Sequence, residues 1–66
     1  MKIVIAHYET EEPIVEIEDA TSAQVSAYSN VECIQLQGDD WHIKGRVVSF
    51  EKNTLYIFVV LSNSWN

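Results

Sequence analysis

The sequence predicts a β-rich α+β domain of about five antiparallel strands, and three observations support this fold class. Hydrophobic residues make up 47% of the 66 residues, which is typical of a folded protein. β-Branched and aromatic residues gather in short runs, and several of these runs alternate with polar positions as half-buried strands do. One intervening segment, residues 19–30, is instead rich in small residues. A chain this short builds at most one core, so we expect a single domain over residues 1–66.

The first half predicts a hairpin followed by a short helix or a loop. Residues 2–8 are rich in β-branched and aromatic side chains, and residues 14–18 alternate between apolar and acidic ones. The two segments pair most simply as a hairpin. Asp19, Thr21 or Ser22 can cap a helix that ends at Asn30. The serines and threonines of residues 19–30 are, however, indifferent helix formers. A loop, or a further strand over residues 24–28, fits the same sequence.

The second half predicts a three-stranded meander. Its first strand covers residues 31–37, Gly38, Asp39 and Asp40 supply a turn, and a long strand begins at Trp41. The apolar alternation changes phase within this long strand. A β-bulge at Gly45 would correct the phase and give one apolar face of Trp41, Ile43, Val48 and Phe50. Residues 51–54 then turn the chain, with Asn53 the residue best suited to positive φ. The five-strand count and the meander are also typical of a small barrel.

The last strand is apolar on both of its faces. Residues 55–61 are seven hydrophobic residues in a row. One small core cannot cover both faces of such a strand. If Leu55, Ile57, Val59 and Leu61 face the core, we expect a homo-oligomer interface formed by Tyr56, Phe58 and Val60. Trp65, near the C-terminus, would have to pack back on the domain or on a neighbour.

Acidic residues are concentrated in the first part of the chain. The net charge is −6, and nine of the ten acidic residues lie in residues 1–40, where Lys2 is the only base. Such a field attracts basic surfaces and repels phosphate backbones and anionic lipid. We therefore expect a protein partner with a basic surface, and no direct contact with nucleic acid or membrane. The candidate partner-binding residues are Glu9, Glu11, Glu12, Glu16, Glu18 and Asp19. A solvated face that only maintains solubility fits the same residues.

The long fourth strand carries a second, alternative site. His42, Lys44 and Arg46 would share the face opposite Trp41 and hold an anionic small molecule or nucleotide at the subunit interfaces of a small oligomer. A solvated polar face beside a core tryptophan explains the same alternation without any ligand.

The sequence predicts no enzyme, metal site or cofactor. Cys33 and His42 would face each other as nucleophile and base, but a catalytic pair also needs an orienting group and an enclosed pocket, so we expect Cys33 to be a buried structural residue. His7 and His42 lack the spacing of metal ligands. The lone cysteine and the short apolar run at the start favour a cytoplasmic protein. The expected function is a non-catalytic acidic interaction protein, such as an inhibitor or regulator.

Overall fold

The computed structural model describes residues 1–62, which form one five-stranded sheet and one helix. The elements in chain order are β1 (Lys2–His7), β2 (Pro13–Ile17), α1 (Ser22–Asn30), β3 (Cys33–Leu36), β4 (Asp39–Ser49) and β5 (Thr54–Leu61). The sheet is a curled half-barrel with the strand order β2-β1-β5-β4-β3. It therefore has two edges, β2 and β3, and its β-rich character is as predicted. Trp65 lies outside the described residues.

The prediction that all strands are antiparallel is wrong for one pair, because β1 and β5 run parallel. Ile3 lies beside Leu55, and Ile5 lies beside Ile57. The β1–β2 hairpin and the β3–β4–β5 meander form as predicted. They join through β1 and β5, the two strands that are apolar on both faces. Central positions in the sheet suit such strands, because a strand with neighbours along both of its edges has adjacent side chains on each of its faces.

The β-bulge predicted at Gly45 is confirmed. Ile43 lies opposite Val59 while Gly45 lies opposite Phe58, so Lys44 is the extra residue. The bulge places Val48 on the face of Trp41, as expected, but Val48 is 45% exposed and Phe50 is 89% exposed. Phe50 lies beyond the last strand pair, Ser49 with Thr54, and therefore projects past the end of the core. The expected four-residue apolar face is buried only at Trp41 and Ile43.

The turns follow the residue types closely, with one displacement. The β3–β4 hairpin turns at Gln37 and Gly38, whose φ angles are 54° and 81°, rather than over Gly38 to Asp40. Positive φ at both positions is the type I′ geometry, which matches the twist of the flanking strands. Asp39 is thus free to pair with Leu36 and to begin β4. Asn53 has a φ of 50°, as predicted for the β4–β5 turn.

Residues 22–30 form a helix, which decides between the alternatives of helix and loop. Thr21 is its N-cap, and the Thr21 Oγ1 accepts from the Gln24 amide at 3.1 Å while Gln24 Oε1 accepts from the Thr21 amide at 2.9 Å. This reciprocal capping box satisfies two amides that the first turn would leave unpaired. Val25 and Tyr28 pack against the core, whose fully buried members are Ile3, Ile5, Ile57 and Val59. No helix within residues 1–62 is long and apolar enough to cross a membrane.

Candidate functional site

The six carboxylates predicted to bind a partner lie along one edge of the sheet. Three of them are in the β1–β2 connection, one is in β2, and two directly follow β2. All six residues are exposed. We call this group the acidic edge, and it comprises Glu9, Glu11, Glu12, Glu16, Glu18 and Asp19. Since β2 is an edge strand, these carboxylates border a row of backbone groups that no other strand of the described chain covers.

Tight turns set the positions of the carboxylates at both ends of β2. Glu11 and Asp19 have φ angles of 62° and 49°, in the left-handed region that side chains seldom adopt. The Glu11 amide donates to the His7 carbonyl at 2.8 Å, and the His7 amide donates to the Glu12 carbonyl at 2.9 Å. These hydrogen bonds close the β1–β2 connection, so its three glutamates project from an ordered turn.

Lys2 is the one cation that pairs with the acidic edge within the described chain. Its Nζ lies 2.8 Å from Glu16 Oε1 and 3.3 Å from Glu18 Oε2. The hydrogen bond to Glu16, followed by the one to Glu18, raises the pKa of Lys2 above its ordinary value. The other four carboxylates have no ion-pair partner among residues 1–62. The acidic edge therefore keeps a net negative charge in the folded chain.

A second surface lies on the face of the sheet turned away from α1, which we call the open face. Val4 and Ala6 of β1 form its floor with Tyr56 and Phe58 of β5, and Val47 of β4 forms one wall. Together with polar residues at the rim they line a groove of 460 Å³. Tyr56 and Phe58 are half-buried, and Val47 is 53% exposed. Two of the three predicted interface residues, Tyr56 and Phe58, thus lie together in an accessible apolar groove.

Val60, the third predicted interface residue, lies on the open face but outside this groove. It is opposite His42 in the sheet and is half-buried. The charged side chains at the groove's rim are Lys2, Glu11, Glu16 and Lys52. The groove is therefore apolar at its centre and carries both signs of charge at its margin.

The alternative ligand-binding residues His42, Lys44 and Arg46 are not gathered by the fold. Arg46 pairs with Ile57 of β5 and lies on the core face of the sheet, which is also the face of Trp41. The expectation that Arg46 lies on the other face from Trp41 is therefore wrong. The physical reason is the bulge at Lys44, which reverses the alternation of every later residue in β4. His42 lies on the open face, while the Lys44 Nζ is 5.9 Å from the centroid of the Tyr8 ring. The three side chains accordingly face different surroundings.

Arg46 instead binds the end of the helix. Its Nε donates to the Tyr28 carbonyl at 3.0 Å, and its Nη2 donates to the Val31 carbonyl. The last turn of α1 contains no basic residue of its own. Arg46 therefore supplies from β4 the positive charge that the carbonyl end of a helix favours.

Cys33 and His42 are cross-strand neighbours, and the Cys33 Sγ lies 3.7 Å from the His42 Nδ1. Cys33 is exposed, so the expectation that it is buried is wrong. In the edge strand β3 the core face is taken by Ile34 and Leu36, and the alternation directs Cys33 to the open side. His7 packs edge-on against Trp41, with ring centroids 5.2 Å apart. Residues 1–62 contain no group of three or more His, Cys, Asp or Glu side chains that could hold a metal ion.

Comparison with known proteins gives no match to a family model, to a curated protein or to a solved structure. The proposed function accordingly rests on the charge, shape and polarity of the two surfaces.

Sequence reasoning missed the part of the groove that lies outside β5. The signal was present in β1, where Val4 and Ala6 alternate with Ile3 and Ile5 and make that strand apolar on both faces. The contribution of Val47 and Lys52 was not visible, because it depends on the bulge and on the β4–β5 register.

Proposed function

We propose that this chain is a non-catalytic interaction protein whose acidic edge binds a basic surface of a protein partner. The observation that carries the proposal is the placement of all six carboxylates at one sheet edge, with Lys2 as their only ion-pair partner in the described chain. The proposal needs no cofactor and assigns the protein to the cytoplasm, where it would act as an inhibitor or regulator of that partner.

The physical basis of the proposal is collective electrostatics. One exposed ion pair contributes only about 0.2 to 1 kcal/mol, so a single carboxylate cannot define a partner. Six carboxylates, one within a strand of five residues and five on either side of it in the chain, act together and accelerate the encounter with a basic surface. The outward backbone groups of β2 add directional hydrogen-bonding positions beside these charges. A lysine- or arginine-rich surface can pair with the carboxylates and can also donate hydrogen bonds to the outward carbonyl groups of β2.

An inhibitory role follows from the chemistry of such a partner. Basic surfaces on proteins commonly bind phosphate backbones, and a row of carboxylates competes for the same cations. When the acidic edge occupies the basic surface of the partner, nucleic acid would no longer bind there. This chain would inhibit the partner without itself contacting nucleic acid.

Neutralising the acidic edge tests the proposal. A triple variant with Glu9→Gln, Glu12→Gln and Glu18→Gln removes three charges from the edge and keeps Glu11 and Glu16 at the groove. The control variant, Glu32→Gln with Asp39→Asn and Asp40→Asn, removes the same charge from exposed positions elsewhere. The probe is a lysine- and arginine-rich peptide, titrated into ¹⁵N-labelled protein at low salt and at physiological salt.

We expect amide shift changes concentrated in residues 9–19, weakened at higher salt because exposed charges are screened over about 8 Å there. Loss of three exposed pairs should weaken binding roughly threefold to a hundredfold in the edge variant, and far less in the control. Capture from lysate should follow the same order, with basic proteins retained by the control variant and lost by the edge variant. Equal losses in both variants, or captured proteins without a basic bias, would contradict the proposal.

A further inference from the structure

We infer that the open face binds a second copy of this chain, in a two-fold dimer whose strands run in opposite directions across the interface. The inference does not rest on the proposed function, because it uses the groove and not the acidic edge as a whole. Two observations support it. The groove is apolar at its centre, and its unpaired charges of opposite sign lie at opposite ends.

Val4 and Ala6 at the floor of the groove are already buried, but the other apolar side chains of the groove are not fully covered within the described chain. The helix packs on the other face, where Val25 and Tyr28 contact the core. On the open face Val47 is 53% exposed, and Tyr56 and Phe58 are half-buried. A standard interface buries about 800 Å² on each partner, and the described chain exposes 4477 Å², so a dimer would cover about a fifth of it.

The two ends of the groove differ in charge. Lys52 lies in the β4–β5 turn, two residues before Thr54, which pairs with Lys2 at the start of β1. Glu11 follows the end of β1, where its amide bonds to the His7 carbonyl. The six residues of β1 separate these ends by roughly 17 Å at the usual rise of a strand. Neither the Lys52 ammonium nor the Glu11 carboxylate has an ion-pair partner among residues 1–62.

The positive end at Lys52 and the negative end at Glu11 favour a second copy of the chain in the groove, in one orientation. When two copies meet face to face about a two-fold axis that crosses the strands, each Lys52 lies at the Glu11 end of the other copy. The two-fold symmetry forms the pair twice. An axis parallel to the strands would instead place lysine against lysine and glutamate against glutamate, which is repulsive. A second copy therefore matches the apolar centre and both charged ends of the groove.

The test is a charge swap measured by sedimentation equilibrium at concentrations up to about 100 μM, a range that resolves micromolar dissociation constants. Lys52→Glu and Glu11→Lys each replace two attractive contacts by two repulsive ones, and the double variant restores attraction with the charges exchanged. Glu32→Lys is the control for Glu11→Lys, because it changes the net charge equally but does not line the groove. Circular dichroism establishes that each variant is folded.

We expect the unmodified chain to be a dimer, and each single swap to weaken it about three- to thirtyfold. The double variant should recover most of the affinity, and Glu32→Lys should leave it nearly unchanged. Phe58→Asp should give a folded monomer. If this variant does not fold, the charge-swap variants still test whether the open face forms the dimer interface. A monomer at 100 μM would overturn the inference, as would a double variant no tighter than the single ones. Failure of this test leaves the peptide titration of the acidic edge unaffected, since its edge variant retains Glu11.

Discussion

Replacing Arg46 by alanine should loosen α1 and lower the stability of the whole domain. Arg46 donates from Nε to the Tyr28 carbonyl at 3.0 Å and from Nη2 to the Val31 carbonyl. A helix of nine residues is too short to persist in water by itself, so it depends on contacts made by the fold. None of its residues is fully buried, which makes a side-chain attachment to its end unusually important.

The expected magnitude comes from two charge-assisted hydrogen bonds at an exposed position. Bonds to charged groups contribute about 1.5 to 3 kcal/mol where they are desolvated, and exposure lowers this contribution. We therefore expect a loss of about 1 to 2 kcal/mol in the free energy of unfolding. In a domain of this size each kcal/mol corresponds to roughly 4–8 °C in the melting temperature. Arg46→Lys keeps the charge but not the fork of donors, and should lose about half as much.

Thermal and urea unfolding followed by circular dichroism measure the global effect, and hydrogen exchange of the α1 amides measures the local one. Lys52→Ala is the matched control, because it changes the net charge equally and its ammonium has no ion pair in the described chain. All variants are compared at a dilution where the proposed dimer, to which Lys52 would contribute, is dissociated. The α1 amides should lose protection in Arg46→Ala more than those of β1 and β5. Equal stability of Arg46→Ala and Lys52→Ala, with unchanged α1 exchange, would refute the reasoning.

Two further predictions concern backbone conformation and pH. Gly38→Ala should cost roughly 1 kcal/mol, because Gly38 has a φ of 81°, whereas Gly45→Ala should stay within about 0.5 kcal/mol, since an added Cβ at Gly45 meets nothing within 4 Å. Urea unfolding of the pair checks this, and equal costs would contradict it. Lys2→Met should lower stability at neutral pH, because the folded state raises the pKa of Lys2 through Glu16 and Glu18. That stabilisation is complete below the ordinary pKa of 10.5 and is lost as the pH rises through the raised value, so the difference from the unmodified chain should close in alkaline solution. A difference that grows with pH would be the opposite of this expectation.

The parts of the fold that the sequence could predict are those set by neighbouring residues. Alternation in residues 14–18 gave β2, and the lone Gly45 in an out-of-phase strand gave the bulge. Asn53 took the left-handed turn position, and Thr21 was among the named helix caps. Each of these depends on the conformational preference of one residue within its own turn or strand.

The parts that could not be predicted are those set by contacts between distant segments. The parallel pairing of β1 with β5 joins residues about fifty positions apart, and nothing in either strand specifies the direction of its neighbour. The face of Arg46 followed from the bulge, which had been predicted, but its bonds to α1 required the position of the helix. Cys33 was assigned to the core from its residue type, whereas its place in the edge strand β3 exposes it.

The packing of β1 and β5 connects the fold to both proposed surfaces. Residues 1–62 contain two strands, β1 and β5, that are apolar on both faces, but only one short helix with which to cover them. The helix covers the core face, where Ile3, Ile57 and Val59 are fully buried, and leaves Tyr56 and Phe58 half-exposed on the other. Fully burying such a side chain contributes about 1.5 to 3 kcal/mol, a large share of the about 5 to 15 kcal/mol that stabilises a domain. A second copy on the open face would supply that burial and still leave most of the acidic edge in solvent, because the edge lies beside the groove and shares only Glu11 and Glu16 with it. Self-association and binding of a basic partner are therefore compatible on one sheet.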